Sequence, residues 1–190
     1  MVRGTDRQLW SAATAGNRDA FGALFDRHVQ AVHRHCFRLT ASWAAAEDAT
    51  QSTFLLAWRK RGQARLVDDS LLPWLLAVAT NVVRDQQRSL ARWWKALLRA
   101  PVDGPTGDVG EDVAGRIDSE RRMRSVLRAV RRLPAGERAA LTLCVWSGVP
   151  YPDAAVVLGI SEDAVRARVS RARRRLVRLL DDRNLPVEER

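Results

Sequence analysis

Residues 150–180 read PYPDAAVVLGISEDAVRARVSRARRRLVRLL, and this stretch decides the architecture. A short apolar helix comes first, followed by a turn at Leu158-Gly159-Ile160. Ser161 is placed to cap a second helix by accepting a bond from one of its free N–H groups, and Glu162 and Asp163 suit the positive end of the helix dipole. Gly159 supplies the tight turn that lets two helices cross steeply. This order predicts a helix-turn-helix whose second helix is built to enter a DNA major groove.

The second helix divides into two faces. Val165, Val169, Ala172, Leu176 and Leu179 recur at helical spacing and form the stripe expected to pack inward. Arg166, Ser170, Arg173 and Arg174 lie opposite, with Arg171 and Arg178 beside them. The planar guanidinium fork bonds guanine edges or phosphate oxygens in pairs. Arg166, Ser170 and Arg171 on the first two turns are expected at bases, and Arg174, Arg175 and Arg178 at phosphate or solvent. A solvated basic face on an ordinary surface helix is the plainer alternative, but here a turn and a cap accompany the charge.

The surrounding composition agrees with a polyanion partner. Thirty-two Lys and Arg against twenty-two Asp and Glu leave a formal charge of +10 over 190 residues, and such a balance favours nucleic acid through counterion release. No apolar run approaches the length of a spanning helix, and the opening MVRGTDRQLWSAATAG lacks a signal-peptide core, so the expected location is the cytoplasm, without membrane insertion. Cys36 and Cys144 sit far apart in apolar helical settings and are expected as free buried thiols. Residues 101–115, PVDGPTGDVGEDVAG, carry four acids, no Lys or Arg, and many Gly and Pro. Such a segment buries no core and reads as a flexible acidic linker. It separates residues 1–100 from residues 116–190, and each of these halves is positive by seven. Strand-like alternation is absent, so the fold class is all-α, with two helical domains on a tether.

In the first half, helices are expected over Asp6–Ala15, from a cap at Asn17 through Cys36, over Ala44–Arg61, and from Leu72 to Arg92 or beyond, with a loop over Gly62–Ser70. The second half adds Arg116–Arg132, Ala135–Trp146 and the two motif helices. Two segments of the first half carry mixed chemistry. In AAAEDATQSTFLLAWRKR, Asp48, Gln51 and Leu55 share a side, as do Phe54 and Trp58, a combination suited to a protein interface. In LLPWLLAVATNVVRDQQRSLARWW, Asn81, Asp85 and Arg88 form a polar line on an apolar helix that starts near Trp74. His28, His33, His35 and Cys36 do not fall on one helical face, and no CxxC or HExxH pattern occurs, so no metal or other cofactor is expected. No nucleophile–base constellation survives inspection either, and the chain is not read as an enzyme.

In order along the chain, AEDATQSTFLLAW, WLLAVATNVVRDQQRS and LRAVRRLPAGERAALTL followed by the helix-turn-helix resemble an extracytoplasmic-function sigma factor of the sigma-70 family, from about Asp6 to Leu180. The resemblance implies core RNA polymerase as partner, through its β′ clamp helices and β flap, together with promoter DNA. It places polymerase contacts at Glu47, Asp48, Gln51, Phe54 and Trp58. It places −10 element contacts at Arg61, Arg65, Trp74, Asn81, Arg84, Asp85 and Arg88, with Arg59 and Lys60 along the backbone. It places −35 contacts at Arg166, Ala167, Ser170, Arg171 and Arg174. An extruded base needs a pocket that reads its edge, which a loop beside a rigid helix can provide.

Two departures stand out: Ala164 and Ala167 where the family often has small hydroxyl residues, and Pro152-Asp153-Ala154-Ala155 where a glutamate-containing run is usual. With no appended sensory segment in view, the resemblance implies control from outside, by an anti-sigma factor. The competing readings are a stand-alone helix-turn-helix regulator acting as a dimer, and an adaptor that binds polymerase without promoters.

Overall fold

The computed structural model describes residues 4–64, 66–97 and 114–181. Helix α1 (Asp6–Thr14) opens on a capping box, in which Thr5 accepts from the Gln8 N–H and the Gln8 side chain accepts from the Thr5 N–H. Gly16, at φ +97°, turns the chain into α2 (Arg18–Thr40), which Asn17 caps through the Ala20 N–H at 3.0 Å. Helix α3 (Trp43–Arg59) starts from Ser42, and a single tight turn over Arg61–Gln63 leads to α4 (Leu72–Leu97). The loop between them reverses at Asp68 and Asp69, both left-handed at φ 45° and 63°, and Val67 pairs with Ser70 across the turn.

These four helices enclose a core of Leu24, Val32, Cys36, Phe54, Leu75 and Leu76, with the small residues Ala46, Ala49 and Ala79 at close approaches. Aromatic edges fill one end of it: Trp10 meets Trp74 at 5.7 Å, and Phe54 meets Phe25 at 4.7 Å. Asp6 ties three elements together. Its carboxylate accepts from Arg27 Nη1 at 2.6 Å and from the Leu71 N–H at 2.8 Å, and bonds His28 Nε2 at 2.7 Å. Burial alone would push this carboxyl up. The bonds from His28, Leu71 and Arg27 outweigh it and hold the pKa at about 2.

The second half comprises α5 (Ala114–Arg131), α6 (Ala135–Leu141), α7 (Tyr151–Leu158) and α8 (Glu162–Asp181). The single helix expected over Ala135–Trp146 is corrected here: its last five residues, Thr142–Trp146, widen into a π-type turn. The extra residue shifts the side-chain register, so that Thr142 and Leu143 are fully buried while Val145 stays exposed. The expected acidic linker lies outside the described residues except for Ala114 and Gly115, which already belong to α5. Gly159 closes α7 at φ +66°, and Ser161 accepts from the Ala164 N–H at 3.2 Å to start α8.

The halves are not held apart. Leu143, Val149, Ala154 and Val165 join the same buried cluster as Leu24 and Leu75. His35 of α2 bonds Ser147 at 2.7 Å, and the Trp43 N–H donates to Glu120 Oε1 of α5 at 3.0 Å.

Candidate nucleic-acid interface

Arginines crowd the outer face of α8. Val165, Val169 and Ala172 are buried, while Arg166, Ser170, Arg171, Arg173, Arg174, Arg175 and Arg178 are exposed. Ala167 is half-buried. Arg166 lies over the Tyr151 ring at 5.5 Å and donates to Glu162 Oε1 at 2.8 Å, so it is preorganised at the start of the helix. Glu137 of α6, only 7 % exposed, lies 3.5 Å from Arg171 Nε and 3.1 Å from Arg175 Nε. Sequence reasoning missed this support. Glu137 sits inside an apolar helical pattern, and only the fold brings it beneath α8.

On α4 the polar line is outward: Asn81, Asp85 and Arg88 are exposed, and Arg84 is half-buried beside Asp85 at 3.9 Å. Trp74 is half-buried against Trp10, so it braces the base of this surface. Arg61 stacks over the Trp58 ring at 4.5 Å and donates to the Trp58 carbonyl at 3.0 Å. Arg65 lies outside the described residues. The structure thus brings Asn81, Arg84, Asp85 and Arg88 onto one ridge and sets Arg61 on the turn that leaves α3.

Helix α3 separates the residues that its sequence mixes. Glu47, Asp48, Gln51 and Leu55 are exposed, and among the described residues Leu55, at 60 %, is the most exposed large apolar side chain. Phe54 is 4 % exposed and faces Phe21 and Phe25, and Trp58 packs on Phe21 at 5.1 Å. The aromatic pair therefore stiffens α3 from the core side and leaves the outward ridge acidic and amide. Alongside that ridge runs a mostly apolar groove of about 480 Å³ between α2 and α3, with Phe25, Val29 and His33 on one wall and Glu47 and Gln51 on the other.

Burial pushes the His35 imidazole down to about 4 and the Cys36 and Cys144 thiols up to about 11. His33 stacks on Trp43 at 5.5 Å. Among the described residues no group of three or more His, Cys, Asp and Glu is placed to hold a metal ion, and no helix is long and apolar enough to cross a membrane.

Comparison with known proteins matches residues 24–94 to the family described as Sigma-70 region 2, and residues 123–176 to Sigma-70, region 4. The protein described as ECF RNA polymerase sigma factor SigM of Mycobacterium tuberculosis is 36 % identical over 188 residues, covering 98 % of this chain and 90 % of that one. RNA polymerase sigma factor CnrH of Cupriavidus metallidurans is 31 % identical, with 93 % and 94 % covered. Among solved structures, CnrH in complex with the cytosolic domain of CnrY superposes with a TM-score of 0.65 at 28 % identity, covering 93 % of this chain and 97 % of that one. The sigma factor RpoE of Bartonella quintana, in complex with the anti-sigma factor NepR, gives 0.59 at 25 % identity, with 89 % and 98 % covered.

Proposed function

The chain belongs to the extracytoplasmic-function sigma factors of the sigma-70 family and directs RNA polymerase to promoters; we propose that it does so through three separate surfaces, on α3, α4 and α8. The α3 ridge of Glu47, Asp48 and Gln51, with Leu55 and the adjoining groove, docks a basic helical surface of core polymerase. Phe54 and Trp58 hold that ridge rigid from behind. Helix-in-groove docking needs an apolar trough rimmed by charge, and the space beside Phe25 and Val29 has that form.

Asn81, Arg84, Asp85 and Arg88, with Arg61 and the loop that carries Arg65, hold the unpaired strand of the −10 element, and Trp74 steadies α4 beneath them. No nucleotide hydrolysis is involved: capture of the open strand together with polymerase offsets the cost of unpairing. Arg166, Ala167, Ser170, Arg171 and Arg174 face the −35 element in the major groove. The work takes place at the chromosome, hence in the cytoplasm. An anti-sigma factor is the proposed external control, as the complex of the similar RpoE suggests.

The observation that carries this reading over a stand-alone regulator is the exposed acidic ridge on α3 in a chain of charge +10. A duplex-binding dimer has no use for it. In-vitro transcription with core polymerase on a genomic fragment library tests the reading. Discrete start sites that require the protein, and that vanish with Asp48→Arg or Arg171→Ala, are expected. No new starts, together with tight duplex binding without polymerase, would instead establish the stand-alone regulator.

A further inference from the structure

Where α4 faces the second half lies a cavity of about 280 Å³, near the lower end of the roughly 300–1,000 Å³ typical of small-molecule sites. Its walls hold four arginines from four helices: Arg84 of α4, Arg131 of α5, Arg138 of α6 and Arg168 of α8. Thr80 and the amide side chains of Asn81 and Gln87 complete the polar lining, and no lining residue is acidic. Only Asn81 and Arg84 belong to the proposed −10 surface.

Three further details show that this charge is not neutralised from within. The Arg84 Nε is buried without a hydrogen-bond partner, and Asp85 at 3.9 Å is too distant to supply one. Among the described residues Arg138 makes one hydrogen bond, to the Arg131 backbone carbonyl at 3.2 Å, and no carboxylate pairs with it. Burial, then the charges of Arg131, Arg84 and Arg88, lower its pKa. Finally, residue 136 is glycine where any Cβ would come within 3.1 Å of Arg168 Nη1 and 3.3 Å of its Cζ. The missing side chain admits the Arg168 guanidinium into the cavity wall.

Like charges gathered in a half-enclosed space repel one another, and the repulsion is relieved by an anion with several acceptor oxygens. Guanidinium forks with amide donors between them match phosphate geometry. We infer that this cavity is a phosphate-binding site built jointly by the two halves, taking a small polyphosphate anion or a backbone phosphate of nucleic acid. Because its walls come from both halves, a bound phosphate favours the arrangement in which they touch, by as much as it prefers that state.

The test follows thermal unfolding of the full chain at constant ionic strength while inorganic pyrophosphate replaces chloride. A saturable rise in Tm is expected, of roughly 5–10 °C at ~100-fold excess over Kd. The double variant Arg138→Gln/Arg168→Gln should lose it, and Arg18→Gln/Arg128→Gln, which removes two exposed charges on α2 and α5, should keep it. Gly136→Ala guards against misfolding. It adds a good helix former without changing charge, so Tm in chloride should hold while pyrophosphate binding weakens several-fold.

A non-saturable rise, or one lost equally from both double variants, would overturn the site and leave only general basicity. A labelled single-stranded oligonucleotide separates the sources. If it displaces pyrophosphate and binds Arg138→Gln/Arg168→Gln more weakly, the ligand is backbone phosphate; if its binding is untouched while pyrophosphate binding is lost, the ligand is a free anion.

Discussion

His35 Nδ1 lies 2.7 Å from Ser147 Oγ across 112 residues of chain, joining the α2 face of the first half to the turn that precedes α7. The tautomer follows from the neighbours. The Thr80 hydroxyl donates to the Leu76 carbonyl at 2.9 Å, so its oxygen accepts from His35 Nε2–H at 2.9 Å, and Nδ1 is left to accept from Ser147. The bond closes the molecule in a form that cannot span a promoter. Elements centred about 25 base pairs apart lie roughly 85 Å from one another along straight duplex, at ~3.4 Å per pair, whereas a helical half of this size is about 30 Å across. Promoter engagement through both proposed surfaces should therefore break the contact. With fluorophores on the two halves, energy transfer should be high in the free protein and fall on binding core polymerase and promoter. Ser147→Ala should lower it in the free protein. High transfer that persists in the promoter complex would contradict the argument.

The same histidine makes closure depend on pH. Its pKa is about 4 in the closed form, held down first by burial and then by Arg38, and losing the share of that burial contributed by the second half should raise it. A pKa lowered in one state favours that state fully above the higher value and loses the advantage as pH falls from 6.5 toward 4. The closed-to-open ratio should drop between pH 7.5 and 5.5, by at most about tenfold. The energy-transfer signal of wild type should follow this, and His35→Gln should abolish the trend.

Asp6 sets the acid limit of the first half. Its pKa of about 2, against an ordinary 3.8, contributes about 2 kcal/mol that is complete above pH 4 and lost as pH falls through 2. Asp6→Asn should therefore lower stability by about 2 kcal/mol at pH 7 and flatten the loss between pH 4 and 2, as measured by urea unfolding at each pH.

The parts of the fold written in neighbouring residues were legible. Gly159 with Ser161 marked the turn and cap between α7 and α8, and the Val165–Val169–Ala172 stripe gave the buried face of α8, because helical period and backbone conformation are local properties. That Asp48, Gln51 and Leu55 share a side of α3 was legible for the same reason. What periodicity could not assign was which stripe of α3 faces the core. Phe54 and Trp58 turn inward because Phe21 and Phe25 of α2 wait there, and that is a tertiary fact. The π-type turn at Thr142–Trp146 and the His35–Ser147 bond depend likewise on the packing of distant segments.

Glu137 offers the sharpest test of how the proposed −35 surface is tuned. Its carboxylate is nearly excluded from water, and its two neighbours, Arg171 and Arg175, stand one turn apart on α8. A buried carboxylate beside two guanidiniums limits their rotamers, so under the proposed docking Arg171 would meet the groove already oriented, and orientation is what turns a phosphate-seeking cation into a base-reading fork. Removing the charge in Glu137→Gln frees both arginines and adds to the positive field. General duplex affinity should hold or rise, while preference for promoter over random duplex falls about tenfold, the worth of one well-placed base contact. Arg171→Ala should lose the same preference, and the double variant should lose no more than either alone, because both act through one contact. Glu137→Asp should restore part of it. Competition binding with duplexes altered one base pair at a time reads all four proteins. If Glu137→Gln lowers Tm yet keeps the full promoter preference, the carboxylate stabilises the domain and does not orient Arg171.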